Sequence, residues 1–112
     1  MRLKITPAPL AGQVTPPSSK SMAHRLILAA ALAGGESLIR AVSDSQDIQA
    51  TIRGVEAMGA KVSSLGEGTL RVCGIRRPGV CPLIDCGESG STLRFLIPVA
   101  LAVCGGAVFT GH

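Results

Sequence analysis

Twice in this chain a cluster of small hydroxyl residues stands directly ahead of an apolar run, with an arginine one turn further on. The two stretches are Ser19-Lys20-Ser21-x-x-x-Arg25 and Gly87-Glu88-Ser89-Gly90-Ser91-Thr92-Leu93-Arg94. Each is the pattern of a helix start. The first turn of a helix leaves backbone N–H groups unpaired, and the aligned peptide dipoles add roughly half a positive charge there. Phosphate and carboxylate groups fit such an end. In the first stretch Ser21 and Arg25 are four residues apart and share a helical face, beside the turn from which Lys20 emerges. The spacing therefore brings a lysine, a serine and an arginine toward one anion. In the second, Gly90 and Arg94 repeat the four-residue spacing, and Gly90 allows a ligand to approach the backbone where a Cβ would obstruct it.

The duplication extends beyond the motifs. Arg25-Leu-Ile-Leu-Ala-Ala-Ala-Leu-Ala-Gly-Gly and Arg94-Phe-Leu-Ile-Pro-Val-Ala-Leu-Ala-Val-Cys-Gly-Gly share a pattern, and a short apolar run follows each Gly pair. The repeat distance of about 70 residues is too long for a solenoid. It predicts one supersecondary unit used side by side.

A chain of 112 residues with 46% hydrophobic content suffices for about one domain. Gly, Pro, Arg or His interrupts each apolar run before the roughly 20 residues that a membrane-spanning helix needs, so no membrane partner is expected. The opening Met1-Arg2-Leu3-Lys4 lacks the apolar core of a signal peptide, and a cytoplasmic protein is expected. The net charge of +4 favours anionic partners. Arg76-Arg77 is the one adjacent basic pair, and two Phe with no Trp or Tyr supply little for base stacking, so nucleic acid is not an expected partner. Small phosphorylated molecules suit this charge better. Cys73, Cys81, Cys86 and Cys104 contain no C-x-x-C spacing and read as small buried hydrophobes rather than as disulfides or a metal site.

Leu3–Thr6 alternates like a strand, and Gly12–Thr15 predicts another before Pro16-Pro17. A helix follows from about Lys20 to Ala33, capped by Ser19 and stopped by Gly34-Gly35. Leu38–Val42 predicts a strand. A second helix runs from about Ser45 to Met58, with Asp44 or Ser45 as cap, and its Ile48, Ile52, Val55 and Met58 recur with helical period. Lys61–Ser64 and Thr69–Val72 flank Gly66-Glu67-Gly68 as a hairpin. The order is thus an α/β one, a βαβαββ unit over residues 17–82 preceded by a strand segment over 1–16. A second unit begins at 83–112 with a strand at Leu83–Cys86, a helix kinked at Pro98 and an apolar strand at its end. That pattern leaves an apolar face uncovered and predicts a piece of a longer polypeptide. His24 reads as surface or core filler, and Asp44 and Asp47 as charges that favour the dipole of a helix start.

In five ordered segments the chain resembles the 5-enolpyruvylshikimate-3-phosphate (EPSP) synthase family, the enolpyruvyl transferases targeted by glyphosate. The segments are Ile5-Thr-Pro, Ser19-Lys20-Ser21 with Arg25, the Leu/Ala helix ending in Gly-Gly, Ser43-Asp-Ser-Gln-Asp47 followed by Met58-Gly-Ala-Lys-Val62, and Asp85–Arg94. The resemblance implies a two-domain fold in which each domain is assembled from βαβαββ units, with residues 1 to about 14 belonging to the other domain. It also implies transfer of the enolpyruvyl group of phosphoenolpyruvate to the 5-hydroxyl of shikimate 3-phosphate, without metal or cofactor, by a monomer. By position it makes Lys20 the lysine that touches both substrates, Ser21 and Arg25 the pair that holds shikimate 3-phosphate, and Gly90 a lining residue of the phosphoenolpyruvate pocket. Arg94 matches a motif arginine that either touches ligand or braces the second helix start.

The chain departs from the common family pattern at Ser18, His24 and Glu88. Glu88 stands beside the expected phosphate and would repel it unless paired with Arg94 or Lys20. The family's proton-transfer carboxylates have no counterpart in these residues, so no catalytic residue is expected here and the chain alone is expected to turn over no substrate. Two alternatives remain. One is the related transferase acting on UDP-N-acetylglucosamine, against which Ser21 and Ser91 count. The other is a non-catalytic anion-binding or assembly module that self-associates through exposed apolar surface.

Overall fold

Three serine caps begin the three helices, and the apolar faces behind those caps form the core. The computed structural model describes all 112 residues, in the order α1 (Lys20–Leu32), β1 (Glu36–Ile39), α2 (Gln46–Ala57), β2 (Lys61–Gly66), β3 (Thr69–Cys73), β4 (Leu83–Asp85), α3 (Gly90–Cys104) and β5 (Val108–Thr110). The Ser19, Ser45 and Ser89 hydroxyls accept from the N–H groups of Met22, Ile48 and Thr92 at 3.3, 3.3 and 3.1 Å. Each cap satisfies one of the first-turn donors that would otherwise stay unpaired.

The strands form two sheets. β1, β3 and β2 lie side by side in that order, antiparallel throughout, with Ile39 opposite Leu70 and Val62 opposite Val72. The two-residue alternation along β3 buries Leu70 and Val72 against the helices and leaves Arg71 outside, 3.4 Å from the Glu36 carboxylate. β4 and β5 pair in parallel with α3 as their crossover. A single cluster of 18 buried apolar residues joins the pieces, drawing Ile27 and Ala31 from α1, Ile48, Ile52 and Val55 from α2, and Ile84 and Leu96 from β4 and α3. α2 meets α3 at Gly54, where any Cβ would run into the Leu96 side chain.

Several expectations need correction. Residues 1–18 contain no strand, and almost all of them are exposed. An isolated extended segment has no ladder for its N–H and C=O groups, and nothing here pairs with Leu3–Thr6 or Gly12–Thr15. Within this chain the first unit is therefore αβαββ, lacking the leading strand of βαβαββ. The extended N-terminal segment also accounts for a radius of gyration of 17.0 Å, against about 13 Å for a compact domain of this length.

The strand expected at Leu38–Val42 lies earlier, at Glu36–Ile39. Ala41 turns the chain with a φ of 58°, and the Val42 N–H leaves the ladder to donate to the Gly68 carbonyl at 2.9 Å. The Gly pairs do not act alike. α1 ends in an extended Ala33 before Gly34, whereas Gly105 ends α3 in the left-handed region at a φ of 73°, its N–H donating to the Leu101 carbonyl. α3 runs unbroken through Pro98.

Candidate anion-binding site at three helix starts

The N-termini of α1, α2 and α3 are tied to one another by polar contacts. Lys20, the first residue of α1, places its ammonium 2.5 Å from Oδ2 of Asp47 in the first turn of α2. The hydroxyl of Thr92, in the first turn of α3, donates to the backbone carbonyl of Asp47 at 3.2 Å. Behind this surface lies a buried chain: His24 Nδ1 is 2.7 Å from the Thr51 hydroxyl, which is 2.7 Å from that of Thr92, which is 2.7 Å from that of Ser89. His24, Thr51 and Thr92 are at most 1% exposed. Their positions follow from helical spacing, since His24 lies on the buried side of α1 with Ile27 and Thr51 on that of α2 with Ile48 and Val55.

The electrostatics follow from these contacts. The hydrogen bond from Lys20 holds the Asp47 carboxyl below the usual carboxylate range, and a smaller contribution comes from the Ser89 hydroxyl. Burial pushes the His24 imidazole below its ordinary value, partly opposed by the Asp47 charge, so the ring is favoured in its neutral form. Burial likewise raises the thiols of Cys86 and Cys104.

A cleft of about 600 Å³ opens between the start of α2 and the turn leading into α3, and its walls include Asp44, Asp47, Arg53, Gly87, Glu88 and Ser89. The turn is held by the Gly87 N–H donating to Asp85 Oδ1 at 2.9 Å and the Ser89 N–H donating to the Cys86 carbonyl at 2.9 Å. Arg53 is the cation of this cleft, set against three carboxylates. Glu88 pairs with neither Arg94 nor Lys20, and Lys20 is engaged by Asp47 instead. The Arg76-Arg77 pair lies elsewhere, with Lys61 around a second cleft of about 550 Å³.

Of the residues singled out from the sequence, Lys20 and Gly90 are brought to this junction. Ser21 and Arg25 are exposed on α1 and make no hydrogen bond or ion pair within the chain. Arg94 is equally unpaired, so bracing of the α3 start has no contact behind it. A Cβ built on Gly90 meets no atom within 4 Å, and its φ is not positive. Nothing in the fold itself requires a glycine there. Sequence reasoning missed Asp47 as the partner of Lys20, the cleft position of Arg53, and the polar chain through His24, Thr51 and Thr92. A histidine and two threonines at buried helical positions were the available signal, but their contacts span 27 and 41 residues of sequence.

The match to known proteins covers the same residues. The family model for EPSP synthase (3-phosphoshikimate 1-carboxyvinyltransferase) matches residues 5–112. The chain is 42% identical to a 3-phosphoshikimate 1-carboxyvinyltransferase of Clostridium novyi, over 98% of this chain and 27% of that protein. It is 42% identical to the enzyme of the same name from Clostridioides difficile, over 98% of this chain and 28% of that one. Its fold is similar to that of an EPSP synthase from Acinetobacter baumannii, with a TM-score of 0.75 and 26% identity over 90% of this chain and 23% of the other. The chain thus spans about a quarter of the length of the curated relatives it matches.

Proposed function

From a chain that belongs to the EPSP synthase family, we propose that the starts of α1 and α3 form one wall of an enolpyruvyl transferase site. The whole protein would join shikimate 3-phosphate to phosphoenolpyruvate. The methylene carbon of phosphoenolpyruvate is protonated to a methyl group, the 5-hydroxyl of shikimate 3-phosphate adds to C2 as it gives up its proton, and the tetrahedral adduct loses a methyl proton as it expels phosphate, which restores the carbon–carbon double bond of the enolpyruvyl group. The observation that carries this reading is the meeting of three helix N-termini at the Lys20–Asp47 pair. Both substrates are polyanions, and oriented N–H groups with fixed cations are what such substrates need.

Within that wall Lys20 exchanges its contact with Asp47 for substrate oxygens and serves both substrates. Ser21 and Arg25, exposed and unpaired, hold the phosphate of shikimate 3-phosphate. Gly90 lines the phosphoenolpyruvate pocket, where the space above its backbone is open. Arg94 reaches ligand rather than protein. No metal or cofactor enters the reaction, and the acid and base come from residues beyond these 112, so the isolated chain turns over no substrate. The phosphorylated small-molecule substrates fit a cytoplasmic setting, and the whole protein works as a monomer. The isolated chain self-associates through the exposed Leu93, Ile97 and Leu101 on one face of α3.

Calorimetric titration tests this reading. Shikimate 3-phosphate is expected to bind the chain, and Arg25→Ala to weaken that binding by about tenfold or more, since a charge-assisted contact to phosphate is lost. Binding of UDP-N-acetylglucosamine in place of shikimate 3-phosphate would transfer the assignment to the related nucleotide-sugar transferase.

A further inference from the structure

The buried hydroxyl chain has a direction. Each hydroxyl carries one hydrogen, and the backbone carbonyl of Asp47 can only accept, so the Thr92 hydrogen is committed to Asp47, the 2.7 Å contact with Ser89 is made by the Ser89 hydrogen, and none is left to point back toward Thr51. The 2.7 Å contact between Thr51 and Thr92 is then made by the Thr51 hydrogen. With that hydrogen committed, the 2.7 Å contact between Thr51 and His24 requires a hydrogen on Nδ1 of the imidazole. The neutral ring therefore carries its proton on Nδ1, and Nε2 presents a bare lone pair. Nε2 is buried without a partner. An N–H at that position would be an orphaned buried donor, whereas an unused lone pair costs less.

We infer that His24, Thr51 and Thr92 form a one-way hydrogen-bond chain ending on the Asp47 carbonyl, joined at Thr92 by the Ser89 hydroxyl, that fixes the start of α2 and so positions Asp47 to hold Lys20. They are positioning residues, since none of them needs to touch a ligand. Their effect passes through Asp47 to the ammonium that meets both substrates, and this consequence for binding rests on the function proposed above. The groups facing His24 are Lys20 on its own helix, Asp47 and Thr51 on α2 and the uncharged Phe95 ring on α3, its centroid 6.0 Å away. Removal of one hydroxyl in the middle of the chain lets the hydrogens behind it reverse. Thr51→Val keeps the shape and deletes the link, while Thr51→Ser keeps the link.

Long-range proton–nitrogen NMR spectra of the chain near pH 8 decide the direction. The wild-type protein is expected to show His24 protonated on Nδ1 alone. Thr51→Ser should retain that state, and Thr51→Val should shift the ring toward the Nε2-protonated form and alter the Lys20 Nζ signal. An Nε2-protonated ring in the wild type, or a Thr51→Val spectrum with both signals unchanged, overturns the inference. The wild-type spectrum decides even if Thr51→Val does not fold. A second arm measures shikimate 3-phosphate affinity, expected to fall about three- to tenfold in Thr51→Val, of the order of one hydrogen bond, and to recover in Thr51→Ser. Normal binding in Thr51→Val would remove the link to Lys20. Failure of the wild-type chain to bind, with the expected tautomer present, would instead count against the proposed function and leave the hydrogen-bond chain standing.

Discussion

His24 is the residue at which sequence reading and structure part most clearly. Alone on a helix it looks like filler, yet it begins a buried polar chain, and its neutral state has a consequence for stability. Its folded-state pKa lies below the unfolded value, so the unfolded chain takes up the proton first as pH falls. The His24 contribution is therefore complete above the ordinary histidine range, about pH 6.5, and is lost progressively below it. Urea midpoints are expected to drop between pH 8 and pH 5.5 in the wild type. His24→Leu should lower the midpoint at both values, because Thr51 loses a partner, and should remove much of the pH dependence. The Asp47 carboxyl acts in a separate window. Its folded pKa is depressed by Lys20, so its stabilisation is present above the ordinary carboxylate range, about pH 3.9, and vanishes as pH falls through the lowered value.

The cysteines give another residue-level expectation. Cys86 is buried and Cys104 half-buried, both with raised thiol pKa values, whereas Cys81 is exposed. Alkylation followed by mass spectrometry should modify Cys81 first and Cys86 only on unfolding.

At the level of elements, two helical glycines have opposite roles. Gly54 is where α2 packs on α3, and Gly54→Ala should destabilise the chain by about 1–3 kcal/mol, the usual cost of overpacking, as read from urea unfolding. Gly90 opens α3 into free space, so Gly90→Ala should leave stability unchanged or raised by up to ~1 kcal/mol while weakening phosphoenolpyruvate binding. Loss of fold in Gly90→Ala would contradict the view that a ligand rather than packing explains this glycine.

The helices were legible because their signals are local: Ser19 caps where expected, Ser45 is the one of the two expected candidates that caps α2, and α2 carries its apolar residues at helical period. The hairpin was legible from Gly66-Glu67-Gly68 for the same reason. The N-terminal strands were not, because a strand exists only with a partner and the alternation in Leu3–Thr6 carries no information about one. The shift of β1 to Glu36–Ile39 depends on a bond between Val42 and Gly68, distant in sequence.

Over the whole molecule, the helix starts that frame the candidate site were legible, and the contacts that join them were not. Lys20, Ser21, Arg25, Gly90 and Arg94 stand out because helix-start chemistry is written within a few residues. The Lys20–Asp47 pair and the buried hydroxyls that join the three helices are products of tertiary packing. The same packing leaves Leu93, Ile97 and Leu101 on an open face of α3. Sedimentation is expected to show concentration-dependent association of the isolated chain, reduced in Ile97→Lys/Leu101→Lys, and a monomer at all concentrations would oppose it.

Amide shifts during a titration of the 112-residue chain with shikimate 3-phosphate bear most directly on the proposed site wall. Saturable shifts are expected at Lys20 to Arg25, with smaller ones at Asp47 as Lys20 leaves it for the phosphate. A well-dispersed spectrum in which those amides do not move at saturating ligand would contradict the claim that these helix starts form a wall of the substrate site.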